Sequence, residues 1–372
     1  MDSVSVPGRV NLIGEHIDYH SLAVLPMAIG RAIRVCFRAR PDGAIRVASA
    51  GAYGVREFQW TAGLTPAAAG DWENYLRAAA EAVGRKWGVG AGIEASVESD
   101  LPSAAGLSSS SALLVAIALC LLRANGIAAS FEELMEILPD GEQFVGTRGG
   151  GMDHAAVLAS RQGCASLIEF DPLSVRPIAI PADWAFLVAH SLEHAEKSGG
   201  LRAEYNARRT AGASALEKLG LGSYRKVDNP LALARRLDAG LERDSFLHVA
   251  TEARRVREAA AALERGDAAQ FGSLLSDSHA SLRDRLRVSC AALDRLVEAA
   301  MESGAMGARL TGAGFGGCIV AFCRTAELPA LESGLITRYY QDRPGFVRED
   351  HLIRADASPG ALAGSSVPTG LS

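Results

Sequence analysis

The 372-residue chain has no CxxC pair among its six cysteines, which stand at 36, 120, 164, 290, 318 and 323. A zinc knuckle and a thioredoxin-type redox motif are therefore excluded. Cysteines scattered through apolar runs, such as Cys120 in ALCLL and Cys318 in GCIVAFC, are expected to be reduced and buried, as in a cytoplasmic protein. Long apolar runs are missing too: the longest, Ala112 to Leu122, has 11 residues. A membrane-spanning helix needs ~20. The start MDSVSVPGR has no basic stretch followed by an apolar one and does not read as a signal peptide. Lysine is scarce, occurring only at 86, 197, 218 and 226, and arginine carries the basic charge, which reads as genome composition rather than function. A formal net charge of -5 argues against a broad nucleic-acid face. No GxxxxGK[ST] loop occurs, and neither does HRD or DFG, so the Walker-type phosphate loop and the protein kinases are removed.

The remainder is globular. Apolar residues make up 48% and charged residues 22%, and the length suits about two domains at ~150 residues each. Residues 32–39 and 92–98 alternate as half-buried strands do, with Ile93, Ala95 and Val97 on one face. Residues 71–84 have helical spacing, an Asp start and a Gly stop. Residues 108–125 read as a long apolar helix ending at Gly126. Further helices are expected over 247–265, 268–282 and 291–303, with strands at 307–311 and 318–323. Strands and helices without strict alternation predict an α+β fold. The expected division is a first domain over 1–180, a second over 181–355, and a disordered tail over 356–372, DASPGALAGSSVPTGLS.

Four segments carry chemistry. In PSAAGLSSSSA (102–112) a strand end and a turn of small residues lead into a helix that begins at serines. Free amides and the dipole at a helix start attract anions, so this is a candidate phosphate site; a plain serine N-cap needs fewer hydroxyls. PGRVNLIGEHIDY (7–19) packs Arg9, Glu15, His16 and Asp18 around two glycines on short turns, a density suited to accepting hydrogen bonds from sugar hydroxyls. TGAGFGGC (311–318) matches GxGxxG at Gly312, Gly314 and Gly317, but a strand follows rather than a helix. Dinucleotide binding is therefore rejected in favour of a hairpin-like glycine loop pressed on a ligand or another loop. In GTRGGGMDH (146–154) Asp153 follows three glycines, either as a general base or as a helix N-cap. His190 and His194 have i,i+4 spacing but lack a third ligand, so no metal site is expected there.

Together these segments resemble the superfamily of galactokinase, homoserine kinase, mevalonate kinase and phosphomevalonate kinase. PGRVNLIGEHIDY is similar to the galactokinase signature, PSAAGLSSSSA to the phosphate loop and LTGAGFGGC to the third motif; VLPMAIG, DWENY and AEYNARR agree. The resemblance implies a two-domain fold with the site in the cleft, using ATP and Mg²⁺ on a sugar substrate. It implies Asp153 as catalytic base, Arg9 as charge stabiliser, and Glu15, His16, Asp18 and Tyr205 as sugar contacts. It further implies Ala104, Ala105, Gly106, Leu107, Ser108, Ser109 and Ser110 around the ATP phosphates, with Ser110 and Glu142 on Mg²⁺. A cytoplasmic monomer with no nucleic-acid or membrane partner is expected. Departures bear on the sugar. His20, Ser21 and Leu22 replace the usual Asn-Gly-Gly, and Arg148-Gly149-Gly150-Gly151 replaces a bulkier Pro-Cys-Gly-Ile run. The glycines either leave room for an acetamido group at the sugar 2-position, helped by Arg148, or only set a backbone turn. A sugar 1-kinase acting on galactose is the expected function. An N-acetylgalactosamine kinase is the alternative, and a non-catalytic sugar sensor is disfavoured by the intact serine loop and Asp153.

Overall fold

The computed structural model describes residues 1–49, 53–102, 106–144, 146, 149–193 and 199–363; of residues 142, 143 and 199–202 it describes the backbone alone. The first half comprises strands β1 (Asp2–Ile13), β2 (Leu25–Arg40), β3 (Ala44–Ser49) and β4 (Gly54–Gln59), helix α1 (Glu73–Trp87), strand β5 (Gly92–Ser99), and helices α2 (Ser109–Ala124), α3 (Phe131–Phe144) and α4 (Met152–Ala159). Its sheet has the order β1-β2-β5-β3-β4 and is antiparallel except between β3 and β5. Helix α2 is apolar on almost every side because it is enclosed by the sheet and by α1, α3 and α4.

The second half begins with the hairpin β6 (Cys164–Phe170) and β7 (Leu173–Ala179), then β8 (Trp184–His190). Helices α5 (Gly199–Lys218), α6 (Pro230–Ala234), α7 (Leu241–Arg265), α8 (Ala268–Ser281) and α9 (Ala291–Glu302) follow. Strands β9 (Gly307–Thr311) and β10 (Cys318–Arg324), helices α10 (Leu328–Leu335) and α11 (Arg348–His351), and strand β11 (Leu352–Arg354) complete it. The second sheet runs β11-β8-β10-β9. Leu187, Leu310 and Ile319 pack with Leu296 of α9 into a separate core. Phe186 and Phe322 instead meet Phe271 of α8 and join the large core of the first half. The architecture is mixed α+β.

Three local expectations change. Strand β1 fills residues 7–13, for which no element is expected, while Glu15, His16 and Asp18 keep the expected short turns. It is buried throughout from Val6 onward, since α2 and α4 from one half and α7, α8 and β9 from the other all pack on it. Such burial removes the polar alternation by which a strand is recognised. Helix α1 does not stop at Gly84. A Cβ there would lie 3.1 Å from the Trp60 indole nitrogen, so the glycine answers packing, and the helix ends before Gly88. Residues 356–363 are not disordered. The Gly163 amide donates to the Ala357 carbonyl (3.0 Å), the Ser358 amide donates to Ala28 (2.9 Å), and Leu362 is buried. Small residues there serve close backbone approach, a composition that resembles a disordered tail; residues 364–372 lie outside the described residues.

Candidate active site

Strand β1 delivers Arg9 into the region where α2 and α4 begin. Arg9 is 4% exposed. Its Nε donates to Asp153 Oδ1 at 2.8 Å, a second guanidinium nitrogen lies 2.6 Å from the same oxygen, and another donates to the Gly106 carbonyl at 2.6 Å. Asp153 sits in the first turn of α4, where a carboxylate also answers the helix dipole. Its Oδ2 accepts from Ser108 Oγ at 2.5 Å. Burial drives the Asp153 carboxyl up, but the Arg9 charge and the Ser108 hydroxyl outweigh it and hold the group below the ordinary carboxylate value. Both expected catalytic residues, 144 positions apart, thus form one ion pair.

Past Ile13 the chain turns sharply, with positive φ at Gly14, His16 and Ser21. Asp18, 8% exposed, accepts from the Gly150 amide at 3.0 Å. Burial first, and then the neighbouring Asp153 charge, push its pKa up to about 6. His16 Nε2 meets the Ala313 carbonyl at 3.1 Å, and its Nδ1 meets the Tyr19 hydroxyl at 2.9 Å. A carbonyl can only accept, so Nε2 carries the proton and Nδ1 accepts from Tyr19. Burial drops the His16 pKa to about 3, so the ring is neutral. The Tyr205 ring of α5 lies 5.1 Å from His16 and 5.7 Å from Tyr19, centroid to centroid.

Glu15 has a different situation from its neighbours. One oxygen accepts from the Gly312 amide (2.5 Å) and the Thr311 hydroxyl (3.3 Å); the other accepts from Asn11 and lies 3.2 Å from the Arg309 guanidinium. Arg309 is fully buried in β9 and also donates to the Asn11 and Leu12 carbonyls at 3.1 and 3.0 Å. Burial raises the Glu15 pKa, against the pull of Arg309 and Arg9. Helix α7 braces the same turn from behind. His248 Nε2 donates to the Glu15 carbonyl at 3.1 Å, and Glu252 accepts from the Gly14 amide at 3.1 Å and Ser278 Oγ at 2.6 Å. Burial works against ionisation of Glu252, yet Arg255 and other cations hold its pKa down to about 2. Arg309, His248 and Glu252 escaped the sequence reading. An arginine inside the apolar run GARLT was the available signal for a buried acidic partner; His248 and Glu252 are spaced like an ordinary polar stripe on α7.

The phosphate-loop segment is described from Gly106. Ala104 and Ala105 lie outside the described residues. Leu107 is buried, its carbonyl accepting from the Arg9 amide at 3.2 Å. Ser109 and Ser110 open α2, and the Ser108 side chain at its N-cap makes no capping hydrogen bond. The glycine loop between β9 and β10 is the expected hairpin, and it presses on this loop. A Cβ on Gly106 would lie 3.0 Å from the Thr311 carbonyl, and one on Gly312 equally close to that of Gly106. Glu142 belongs to α3, but its side chain is outside what is described, as are Arg148 and His194. His190 uses Nδ1 to accept from the Leu192 amide at 2.9 Å, and among the described residues no acidic, His and Cys group fit to hold a metal occurs.

The triple glycine resolves toward the backbone reading. A Cβ on Gly150 would fall 2.2 Å from the Asp18 carbonyl carbon and 2.3 Å from the Tyr19 nitrogen. One on Gly151 would meet Met135 and Pro139 at 3.2 and 3.4 Å. The space that missing side chains leave at these two positions is filled by protein, not held open for a sugar substituent.

The buried pair carries a stability prediction. Arg309→Leu strands the Glu15 carboxylate without its counter-charge and should cost ~3–5 kcal/mol of unfolding free energy in urea titration. Adding Glu15→Gln should return part of that loss. A loss below ~1 kcal/mol would place the pair with exposed salt bridges and reject its bracing role.

Comparison with known proteins gives the same picture. Residues 3–39 match the family model "Galactokinase galactose-binding signature", residues 74–161 "GHMP kinases N terminal domain" and residues 259–341 "GHMP kinases C terminal". A galactokinase of Roseiflexus sp. (strain RS-1) is 36% identical over 374 residues, covering 98% of this chain and 94% of that one. One from Streptomyces coelicolor is 34% identical, covering 88% and 86%. The solved structure of Lactococcus lactis galactokinase complexed with galactose superposes with a TM-score of 0.88 at 25% identity, over 96% of this chain and 94% of that one. The Methanococcus jannaschii mevalonate kinase, at 16% identity and a TM-score of 0.66 over 96% and 98%, shares the fold. The chain belongs to the galactokinase family of the GHMP kinases, enzymes that phosphorylate galactose at the expense of ATP.

Proposed function

We propose that Asp153 is the carboxylate that receives the anomeric hydroxyl of galactose, with Arg9 as its partner and as the cation nearest the transferring phosphoryl group. One observation carries this reading: the Asp153 carboxylate lies between the buried Arg9 guanidinium and Ser108 at the start of α2. Phosphoryl transfer needs an in-line nucleophile and neutralised charge more than covalent help. Ionised Asp153 accepts a hydrogen bond from O1–H and fixes that oxygen in line. As the O1–P bond forms and the bond to ADP breaks, the O1 proton passes to Asp153 and then to water. The start of α2 offers the incoming phosphates its amide donors and dipole, the role the resemblance gives to Ala104 through Ser110. Asp18 and Tyr205 touch the sugar in this reading; the polar atoms of Glu15 and His16 engage the protein.

Ser110 and Glu142 would hold Mg²⁺. The position of α3 supports this pairing, since Gly141 packs on Leu114, one helical turn along α2 from Ser110 (a Cβ there would lie 3.1 Å from Leu114 Cδ1). A hydroxyl and one carboxylate with phosphate oxygens are a donor set that suits the ion, which when bound neutralises phosphate charge. All six cysteines are free and three are buried, which supports a reducing cytoplasmic setting. A division near residue 180 is supported by the separate matches at 74–161 and 259–341.

Asp153→Asn should lower kcat by at least ~10²-fold while ATP still binds. A near-native kcat would remove Asp153 from the mechanism. The elevated Asp18 pKa adds a pH signature. Below about pH 6 Asp18 gains a proton and loses acceptor strength, whereas Asp153 stays ionised. The kcat/KM for galactose should fall as pH drops through this value, with KM for ATP little changed, and Asp18→Asn should flatten the profile. A wild-type profile already flat from pH 8 to 5 would separate Asp18 from sugar recognition.

A further inference from the structure

Helix α4 has eight residues, Met152–Ala159, and carries Asp153 in its first turn. Helices shorter than ~12 residues are marginal without outside support. The Ala156 carbonyl receives the Ser160 amide at 3.3 Å, but those of Val157 and Leu158 come too late in the helix for internal partners. The far end of the chain supplies them. The Ala361 amide donates to the Val157 carbonyl at 2.8 Å and the Leu362 amide to that of Leu158 at 3.0 Å; just beyond the helix, the Gly360 amide donates to Ser160 at 2.8 Å. This segment is itself pinned. Ala357 bridges Ile29 of β2, Ser358 donates to Ala28 at 2.9 Å, and the Leu362 side chain is 6% exposed within the large core. Gly360 lies so close that a Cβ would stand 2.4 Å from the Leu158 carbonyl oxygen.

We infer that residues 357–362 are a positioning strap for the reaction: by capping α4 they set where Asp153 enters the site between Arg9 and Ser108. The inference rests on the reading of Asp153 as the reacting carboxylate. Mechanically the helix is a lever ~12 Å long. With both Asp153 oxygens held at 2.5–2.8 Å by groups on other elements, a displacement of ~1 Å is enough to cost ~10²-fold in rate. None of the strap residues touches substrate or the reacting atoms; they act through α4.

Gly360→Ala tests this directly, because the added methyl meets backbone rather than a yielding side chain. Leu362→Ala, which removes anchorage without a clash, serves if the first variant does not fold. The expected result is a kcat loss of ~10-fold or more with KM for ATP unchanged within about twofold. Amide hydrogen exchange over residues 156–160 should accelerate, and that of α2 should not. In an Asp153→Asn background the same change should add little further loss, since both act through one group. Accelerated exchange with unchanged kcat overturns the strap's catalytic role, as does an equal kcat loss in both backgrounds. The two readings fail differently. An inactive Asp153→Asn enzyme with a full-rate, strap-loosened Gly360→Ala enzyme rejects the strap alone. A full-rate Asp153→Asn enzyme rejects the reading of Asp153 and the strap's action through it.

Discussion

The Arg9–Asp153 ion pair, closed by Ser108, is the constraint on which the rest of the site depends. It joins three elements that start far apart in the chain: the first strand, the phosphate-loop helix and the short helix after the glycine run. Arg9 also donates to Gly106, so a single guanidinium ties Asp153 to the loop before α2. Its burial removes competition from water and makes the geometry matter, because a misaligned charge here would be left unpaired in a poor solvent.

Much of the surrounding structure keeps that pair in register. The Glu15–Arg309 pair binds the first turn to β9, and β9 leads into the glycine loop that rests on Gly106. His248 and Glu252, on one face of α7, take the backbone groups that the turn at Gly14 and Glu15 leaves over. These contacts put the charges of the site in two classes. Glu15, Arg309 and Glu252 answer one another inside the protein. Burial and then the Asp153 charge raise Asp18 to about 6, whereas Arg9 and the Ser108 hydroxyl hold Asp153 below the usual carboxylate range.

Legibility in the sequence follows from what is local. Arg9, Asp18 and Asp153 stand out because charged residues inside glycine-rich apolar stretches need a reason to be there, and the serine start of α2 and the β9–β10 glycine hairpin have recognisable short-range patterns. Strand β1 was hidden because contact with elements of both halves leaves no polar face. Arg309 and Glu15 belong to opposite ends of the chain, and nothing local shows that their charges meet. The triple glycine leaves substrate space and a backbone turn both open in the sequence, and Gly150 is required by the Asp18–Tyr19 backbone. Composition alone took residues 356–363 for a tail, although small residues serve close backbone contact as well as they serve disorder. The fold class and the central charges were thus readable, and the long-range braces were not.

The position of one oxygen atom, the galactose O1, decides the role of Asp153. A crystal structure with galactose and a non-hydrolysable ATP analogue measures it directly. The galactose O1 is expected within hydrogen-bond distance of Asp153, ~2.6–3.2 Å, with Arg9 still paired to that carboxylate and the γ-phosphate over the start of α2. An O1 beyond that reach, or an Asp153 turned away from both sugar and Arg9 in the ternary complex, would contradict it.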